Sequence, residues 1–278
     1  MTILKEDIAR FVRQLRAECR SAGTIEKYLR DGRAFAGWLA GRPLTTETAA
    51  LWREHLLDRG YASATINSML AAVNELLGFL GCEECRLRLL RVQRRTFRAQ
   101  DKELTRAEYQ KLLDTANVLG QERLALLMET ICATGIRVSE VRYVTVEAAQ
   151  RGRAEISLKG KIRTILLPAR LCRKLLKYAK RQETVSGEIF VTRSGKSLSR
   201  RQIWREMKQL CARAGVAPSK VFPHNLRHLF AAVFYRACRD IVKLADILGH
   251  SSINTTRIYL MTTGAEHARQ LEKLGLVT

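Results

Sequence analysis

Between Arg91 and Glu103 the helical spacing of apolar residues stops, and five basic side chains crowd into thirteen positions. A stretch without an apolar face cannot join a core, so it reads as an exposed connector. It limits the fold more than any other feature, because it divides the 278 residues into two domains, as the length of the chain also favours. The boundaries expected are a first domain at 1–90, a basic linker at 91–103 and a second domain at 104–278. The restart is sharp: Thr105-Arg-Ala-Glu108 has the form of a capping box, with Leu104 and Tyr109 placed as its hydrophobic staple.

Before the connector, apolar periodicity predicts helices near residues 5–21, 24–40, 47–59 and 63–80. In the last, Ile66, Met69, Leu70, Val73, Leu76, Leu77 and Leu80 follow the spacing of one helix face, with Ser63 expected as N-cap. Such stripes read as the core of a small bundle rather than as a partner surface. After the connector, 121–134 reads as an apolar helix closed by Gly135. A new helix is expected near Val138, with Arg137 at the junction. Residues 154–158 and 162–167 alternate around Lys159-Gly-Lys161, the pattern of a β-hairpin. Everything beyond Pro168 reads as mostly helical. The fold class expected is mainly α with a small antiparallel β-sheet in the C-terminal domain.

Lys and Arg number 49 against 27 Asp and Glu, a net charge of +22. Residues 104–278 carry 31 basic and 14 acidic side chains, so the second domain holds most of the excess. A surplus of this size repels itself unless a polyanion screens it, which points to nucleic acid. Seven cysteines without regular spacing, and no signal-like N-terminus, suit a reduced cytoplasmic interior. Cys82 and Cys85 form a lone C-x-x-C that lacks the second half of a zinc site, so no metal and no cofactor are expected. No apolar run reaches bilayer length, because Glu129 interrupts the best candidate, and no membrane partner is expected.

Cutting a DNA strand without metal requires a nucleophile, an acid for the leaving oxygen, and cations around the non-bridging phosphate oxygens. Arginine suits the last task, since its planar fork donates two hydrogen bonds to phosphate and stays charged. With so many basic residues no arginine is informative alone. Tyr259 alone would likewise read as a packed aromatic among Ile253, Ile258 and Leu260.

Context selects among them. Ala133-Thr-Gly-Ile-Arg137-Val-Ser-Glu140 resembles the first arginine box of the tyrosine recombinases, the family of phage integrases and Xer recombinases. Pro223-His224-Asn-Leu-Arg227-His228 is similar to their His-x-x-Arg box. Leu248-Gly-His250, followed nine residues later by Tyr259, looks like their final histidine and nucleophile segment. The order agrees as well, with separations of 90 residues from Arg137 to Arg227 and 32 from Arg227 to Tyr259. The resemblance is close over 104–278 and extends to the N-terminal bundle in size and helix pattern.

The resemblance implies an N-terminal core-binding, SAM-like domain and a catalytic domain that close as a C-shaped clamp around DNA. Arg137 and Arg227 would grip the scissile phosphate, and His250 would add a hydrogen bond to it. His224 would assist proton transfer from Tyr259, whose phenol is a poor nucleophile with a reference pKa of about 10. Tyr259 would form a 3′-phosphotyrosine, and Lys159 would protonate the departing 5′ oxygen. The hairpin is one residue shorter than the family's common form, and Lys161 is the alternative for that last role. Arg94, Arg95 and Arg98 in the linker, with Lys161, Arg163 and Arg257, are the candidates for DNA-backbone contacts.

Further expectations follow from the same resemblance. The partners implied are double-stranded DNA with a specific recombination site and a homo-oligomer on that DNA, a tetramer exchanging the tail 264–278. The function implied is site-specific recombination that integrates or excises a mobile element. Xer-like dimer resolution, a type IB topoisomerase and a non-catalytic DNA-binding regulator are the alternatives, in that order. His228 is expected to be structural despite lying four residues from His224, a spacing also found in helical zinc pairs. Glu140 is read as an N-terminal helix charge, with pairing to Arg137 as the second reading.

Overall fold

The computed structural model describes residues 2–92, 103–158, 161–260 and 272–273. The chain divides into two compact units, Met1–Arg94 and Arg95–Thr278. The linker arginines Arg94, Arg95 and Arg98, the hairpin Lys159, and the tail 264–278 apart from Glu272 and Lys273 lie outside the described residues.

The first unit is built from α1 (Lys5–Ala17), α2 (Ala22–Leu39), α3 (Thr46–Asp58) and α4 (Ser63–Phe79). Ile66, Leu70, Val73, Leu76 and Leu77 of α4 are fully buried, so the apolar stripe is core. Leu76 packs with Ile8, Phe11 and Leu15 of α1, and the others pack with Phe35, Trp52 and Leu56 of α2 and α3. One correction concerns the helix start. Ala62, without a side-chain bond, is the N-cap of α4, and Ser63 is its first helical residue. The hydroxyl cap expected there occurs instead at Ser21, which accepts from the amide of Thr24. Asn67 and Asn74 of α4 each exchange two hydrogen bonds with the backbone that follows the helix, at Leu90 and at Leu87.

The second unit opens with α5 (Arg106–Val118), begun by the capping box: Thr105 Oγ1 accepts from the amide of Glu108, whose carboxylate accepts from the amide of Thr105. Next come α6 (Glu122–Thr134), a 3₁₀ segment (Val138–Tyr143), α7 (Val146–Arg151), and β1 (Arg153–Leu158) paired antiparallel with β2 (Lys161–Leu166). The chain continues through α8 (Ala169–Arg181), α9 (Arg200–Ala214), α10 (Pro223–Cys238), α11 (Ile241–Leu248) and α12 (Ile253–Arg257), ending in a 3₁₀ turn (Ile258–Leu260). The fold is thus mainly helical with one small antiparallel sheet.

Helix α6 is the central element, buried through Leu124, Leu127, Met128 and Ile131, and α5, α8, α9 and α10 all pack on it. Gly135 ends it in the left-handed region, at φ +65°. The position also tolerates no side chain, since a Cβ there would stand 2.5 Å from the Phe230 ring and 2.9 Å from Leu248. Among the described residues no helix is long and apolar enough to cross a membrane.

Candidate active site

Three chain reversals bring the motif residues together. Gly135 turns the chain out of α6 and sets Arg137 at the head of the 3₁₀ segment. Pro223 starts α10 with its fixed φ, so that His224, Arg227 and His228 fall within the first two turns, three and four residues apart and hence on one face. Gly249 ends α11 at φ +62° and turns His250 back towards that face. Tyr259 follows from the 3₁₀ turn after α12.

Arg227 is the deepest member, 2% exposed. Its guanidinium donates to the carbonyl of Gly135, to that of Leu248 at 2.8 Å, and to His250 Nε2 at 2.9 Å. Burial lowers its pKa, while a hydrogen bond with Tyr259 acts in the opposite direction. Arg137 is the open member, its side chain 42% exposed, donating to Glu140 Oε1 at 2.9 Å and to the carbonyl of Gly249 at 3.3 Å.

Arg163 is the third arginine of the cluster. A candidate for DNA-backbone contact in the sequence, it has a side chain 17% exposed. It donates to Glu140 Oε2 at 2.6 Å and to the carbonyl of Ile247 at 3.4 Å. Burial lowers its pKa and Glu140 opposes the shift. Strand alternation accounts for the placement: Ile165 and Leu167 face the core, and Arg163 shares their side of β2.

The last turn of α11 therefore gives one carbonyl to each arginine, Ile247 to Arg163, Leu248 to Arg227 and Gly249 to Arg137. These are the acceptors that a helix end leaves unpaired, at the negative end of its dipole. They supply the partial charge that lets three guanidinium groups gather in one place with two of them sharing a single carboxylate.

Glu140 is that carboxylate, 1% exposed. It accepts from the amide of Arg137 at 2.8 Å, as expected of a charge at a helix start, and also bridges the side chains of Arg137 and Arg163. The pairing reading set second in the sequence is thus also realised.

The protonation of His250 follows from its partners. Arginine only donates, so Nε2 accepts from Arg227; the proton then sits on Nδ1, which donates to Thr256 Oγ1 at 2.8 Å. Its pKa is lowered to about 4, first by burial and then by Arg227, Arg137, Arg163 and His224. Between pH 6.5 and 4 the unfolded chain binds a proton that the folded chain refuses, so stability falls as pH drops through this window. Denaturant unfolding at pH 7.5 and 5 tests this: His250→Gln should lose part of the acid sensitivity of the native chain, and equal pH dependence in both would refute it.

Tyr259 is 9% exposed and packs with Ala231, Leu244 and Leu248, so its ring is also a core aromatic. It faces three histidines, with ring centroids 4.1 Å from His228, 5.5 Å from His250 and 5.6 Å from His224. His228, 9% exposed, lies against both His224 and Tyr259. Among the described residues no cluster of His, Cys, Asp and Glu could hold a metal ion. Arg257 is exposed at the end of α12, and Lys161 begins β2.

Arginines grouped beside a tyrosine and histidines are the equipment of phosphoryl transfer. Residues 102–266 match the model of the phage integrase family, and residues 8–84 match that of the phage integrase N-terminal SAM-like domain. The chain belongs to the phage integrase family. It is a tyrosine recombinase, an enzyme of site-specific recombination.

Similar proteins include the tyrosine recombinase XerA of Pyrococcus furiosus, 29% identical over 99% of this chain and 96% of the relative. XerC of Roseiflexus castenholzii is 30% identical over 92% and 88%. Among solved structures, the Tn1549 transposon integrase in complex with transposon right-end DNA has TM-score 0.70 at 16% identity, covering 99% of this chain and 100% of that one. XerH bound to its difH substrate before cleavage has TM-score 0.68 at 19% identity, covering 96% and 89%. A lambda integrase tetramer on a Holliday junction has TM-score 0.71 at 19% identity, covering 91% and 76%.

Proposed function

We propose that this recombinase breaks and rejoins DNA through a 3′-phosphotyrosine formed by Tyr259. The observation that carries the reading is the convergence of Arg137, Arg227, His250 and Tyr259, from four separate segments, within hydrogen-bond and ring-contact distance. The Tyr259 oxygen attacks the scissile phosphorus, the bond to the 5′ oxygen breaks, and the new phosphodiester retains the energy needed for rejoining. His224 takes the phenol proton, and Lys159, or Lys161 in its place, gives one to the leaving oxygen. Arg137 and Arg227 exchange their backbone carbonyl partners for the non-bridging oxygens, stabilising the charge that grows there. His250 orients Arg227 in the free protein and, once that arginine turns to the phosphate, donates from Nε2 to it in the other ring tautomer, with Nδ1 accepting from the Thr256 hydroxyl.

The division of labour follows the sequence: residues 1–90 bind the core site, 91–103 run along the backbone with Arg94, Arg95 and Arg98, and 104–278 carry the chemistry. Arg257, on the solvent side, contacts the DNA backbone. Four protomers assemble on two duplexes, the tail 264–278 docking onto a neighbour, in keeping with the lambda integrase tetramer on its Holliday junction. The exchange integrates or excises a mobile element, as the likeness to a transposon integrase over 99% of the chain favours. Dimer resolution is the second reading, favoured by Xer relatives matched along almost their whole length.

A nicked suicide duplex tests the chemistry, because loss of the short fragment past the nick traps the enzyme on DNA. A covalent adduct at the 3′ phosphate is expected, and its absence with the native chain would sink the proposal. Sequencing the DNA trapped in cells separates the biological readings. Cleavage at the ends of an element supports integration, a single chromosomal site supports dimer resolution, and scattered sites support a topoisomerase.

A further inference from the structure

We infer that Arg163 is a positioning residue for Arg137: by holding one oxygen of Glu140 it keeps that carboxylate from neutralising Arg137, and so preserves the charge Arg137 brings to the phosphate. The inference rests on the phosphate-binding role proposed above for Arg137.

A buried carboxylate facing one arginine pairs with it through both oxygens, because the guanidinium fork matches the two acceptors. Here that geometry is blocked. Glu140 Oε1 takes Arg137 Nη1 at 2.9 Å, while Oε2 is shared between the Arg137 amide at 2.8 Å and Arg163 Nη2 at 2.6 Å. The second Arg137 nitrogen is left to the weak 3.3 Å bond with the Gly249 carbonyl, on the side chain's exposed flank. Without Arg163, Oε2 would draw that nitrogen in, and a charge meant for phosphate would be spent on Glu140.

Two observations show a place built for this arginine. A Cβ on Gly249 would stand 2.6 Å from Arg163 Cδ and closer still to Nη1, so the glycine makes room for the side chain at the end of α11. Arg163 also buries its Nε with no acceptor among the described residues, which lowers stability, so packing alone does not account for an arginine here.

Single-turnover cleavage of two suicide duplexes tests the inference, one with the ordinary scissile phosphate and one with a methylphosphonate, which lacks one anionic oxygen. Arg163→Gln should bind DNA within about threefold of the native chain yet cleave the ordinary phosphate about a hundredfold more slowly, the scale of one lost oxyanion contact. On the methylphosphonate its deficit relative to the native chain should shrink to less than about tenfold. Adding Glu140→Gln to Arg163→Gln removes the competing charge and should recover at least about tenfold on the ordinary phosphate. If Arg163→Gln does not fold, Arg163→Lys carries the test, because its ammonium keeps a cation beside Oε2: cleavage within about tenfold of native supports the inference.

Equal deficits on both substrates, no deficit on either, a double variant no better than Arg163→Gln, or Arg163→Lys more than about tenfold slow would overturn it. Arg137→Gln separates the two levels. If it cleaves the ordinary phosphate at the native rate, the role proposed for Arg137 fails; if it is slow while Arg163→Gln is not, only the present inference fails.

Discussion

Tyr259→Phe is expected to bind DNA as tightly as the native chain, to form no covalent adduct on nicked suicide DNA, and to cleave at least about 10⁴-fold more slowly, the scale of removing a catalytic nucleophile. The substitution deletes one oxygen and keeps the ring that packs on Ala231, Leu244 and Leu248 and faces three histidines, so the fold should persist. What the fold loses is the favourable interaction of the phenol oxygen with the Arg227 guanidinium. A thermal scan run beside the adduct assay keeps the two effects apart. An adduct that survives in the phenylalanine variant would assign the nucleophile to another residue.

Arg227→Ala should fail twice over. Catalysis is expected to fall by about 10³-fold or more, as when a charge-stabilising donor is removed from a closed site. Stability should also fall by roughly 2–4 kcal/mol, because the Gly135 and Leu248 carbonyls and His250 lose a buried charged donor together. Arg227→Lys keeps the charge but lacks the fork that reaches three acceptors, so it should regain part of the stability and little of the rate. Denaturant unfolding and single-turnover cleavage measure these separately. Cleavage by the alanine variant within tenfold of native would remove Arg227 from the mechanism.

Most of the fold was legible because its signals are local. Gly135 after an apolar run, Thr105 and Glu108 three apart, and alternation on either side of Lys159-Gly-Lys161 each decide a few residues by spacing alone. Ser63 misled because a hydroxyl at a helix start is suited to the cap and also tolerated one position inside, and only the backbone angle of Ala62 separates the two. The catalytic candidates were legible as a set, through motif order. Their partners were not. The acceptors that hold the arginines are backbone carbonyls at the end of α11, which any sequence supplies equally, and nothing in Ile247, Leu248 or Gly249 announces them. Arg163 did carry a signal, since it lies two residues before buried Ile165 on an alternating strand. Its charge argued for solvent, and Glu140, which overrides that preference, lies 23 residues away in sequence.

The end of α11 has a consequence for how the enzyme waits. Of the arginines it holds, Arg227 rests on two backbone carbonyls and a neutral imidazole, stand-ins that release a donor without parting two formal charges, so its bonds are made in the free protein and yet readily exchanged. A small tetrahedral oxyanion in the medium is expected to compete for the same donors, so sulfate or phosphate should slow cleavage more than chloride does at equal ionic strength.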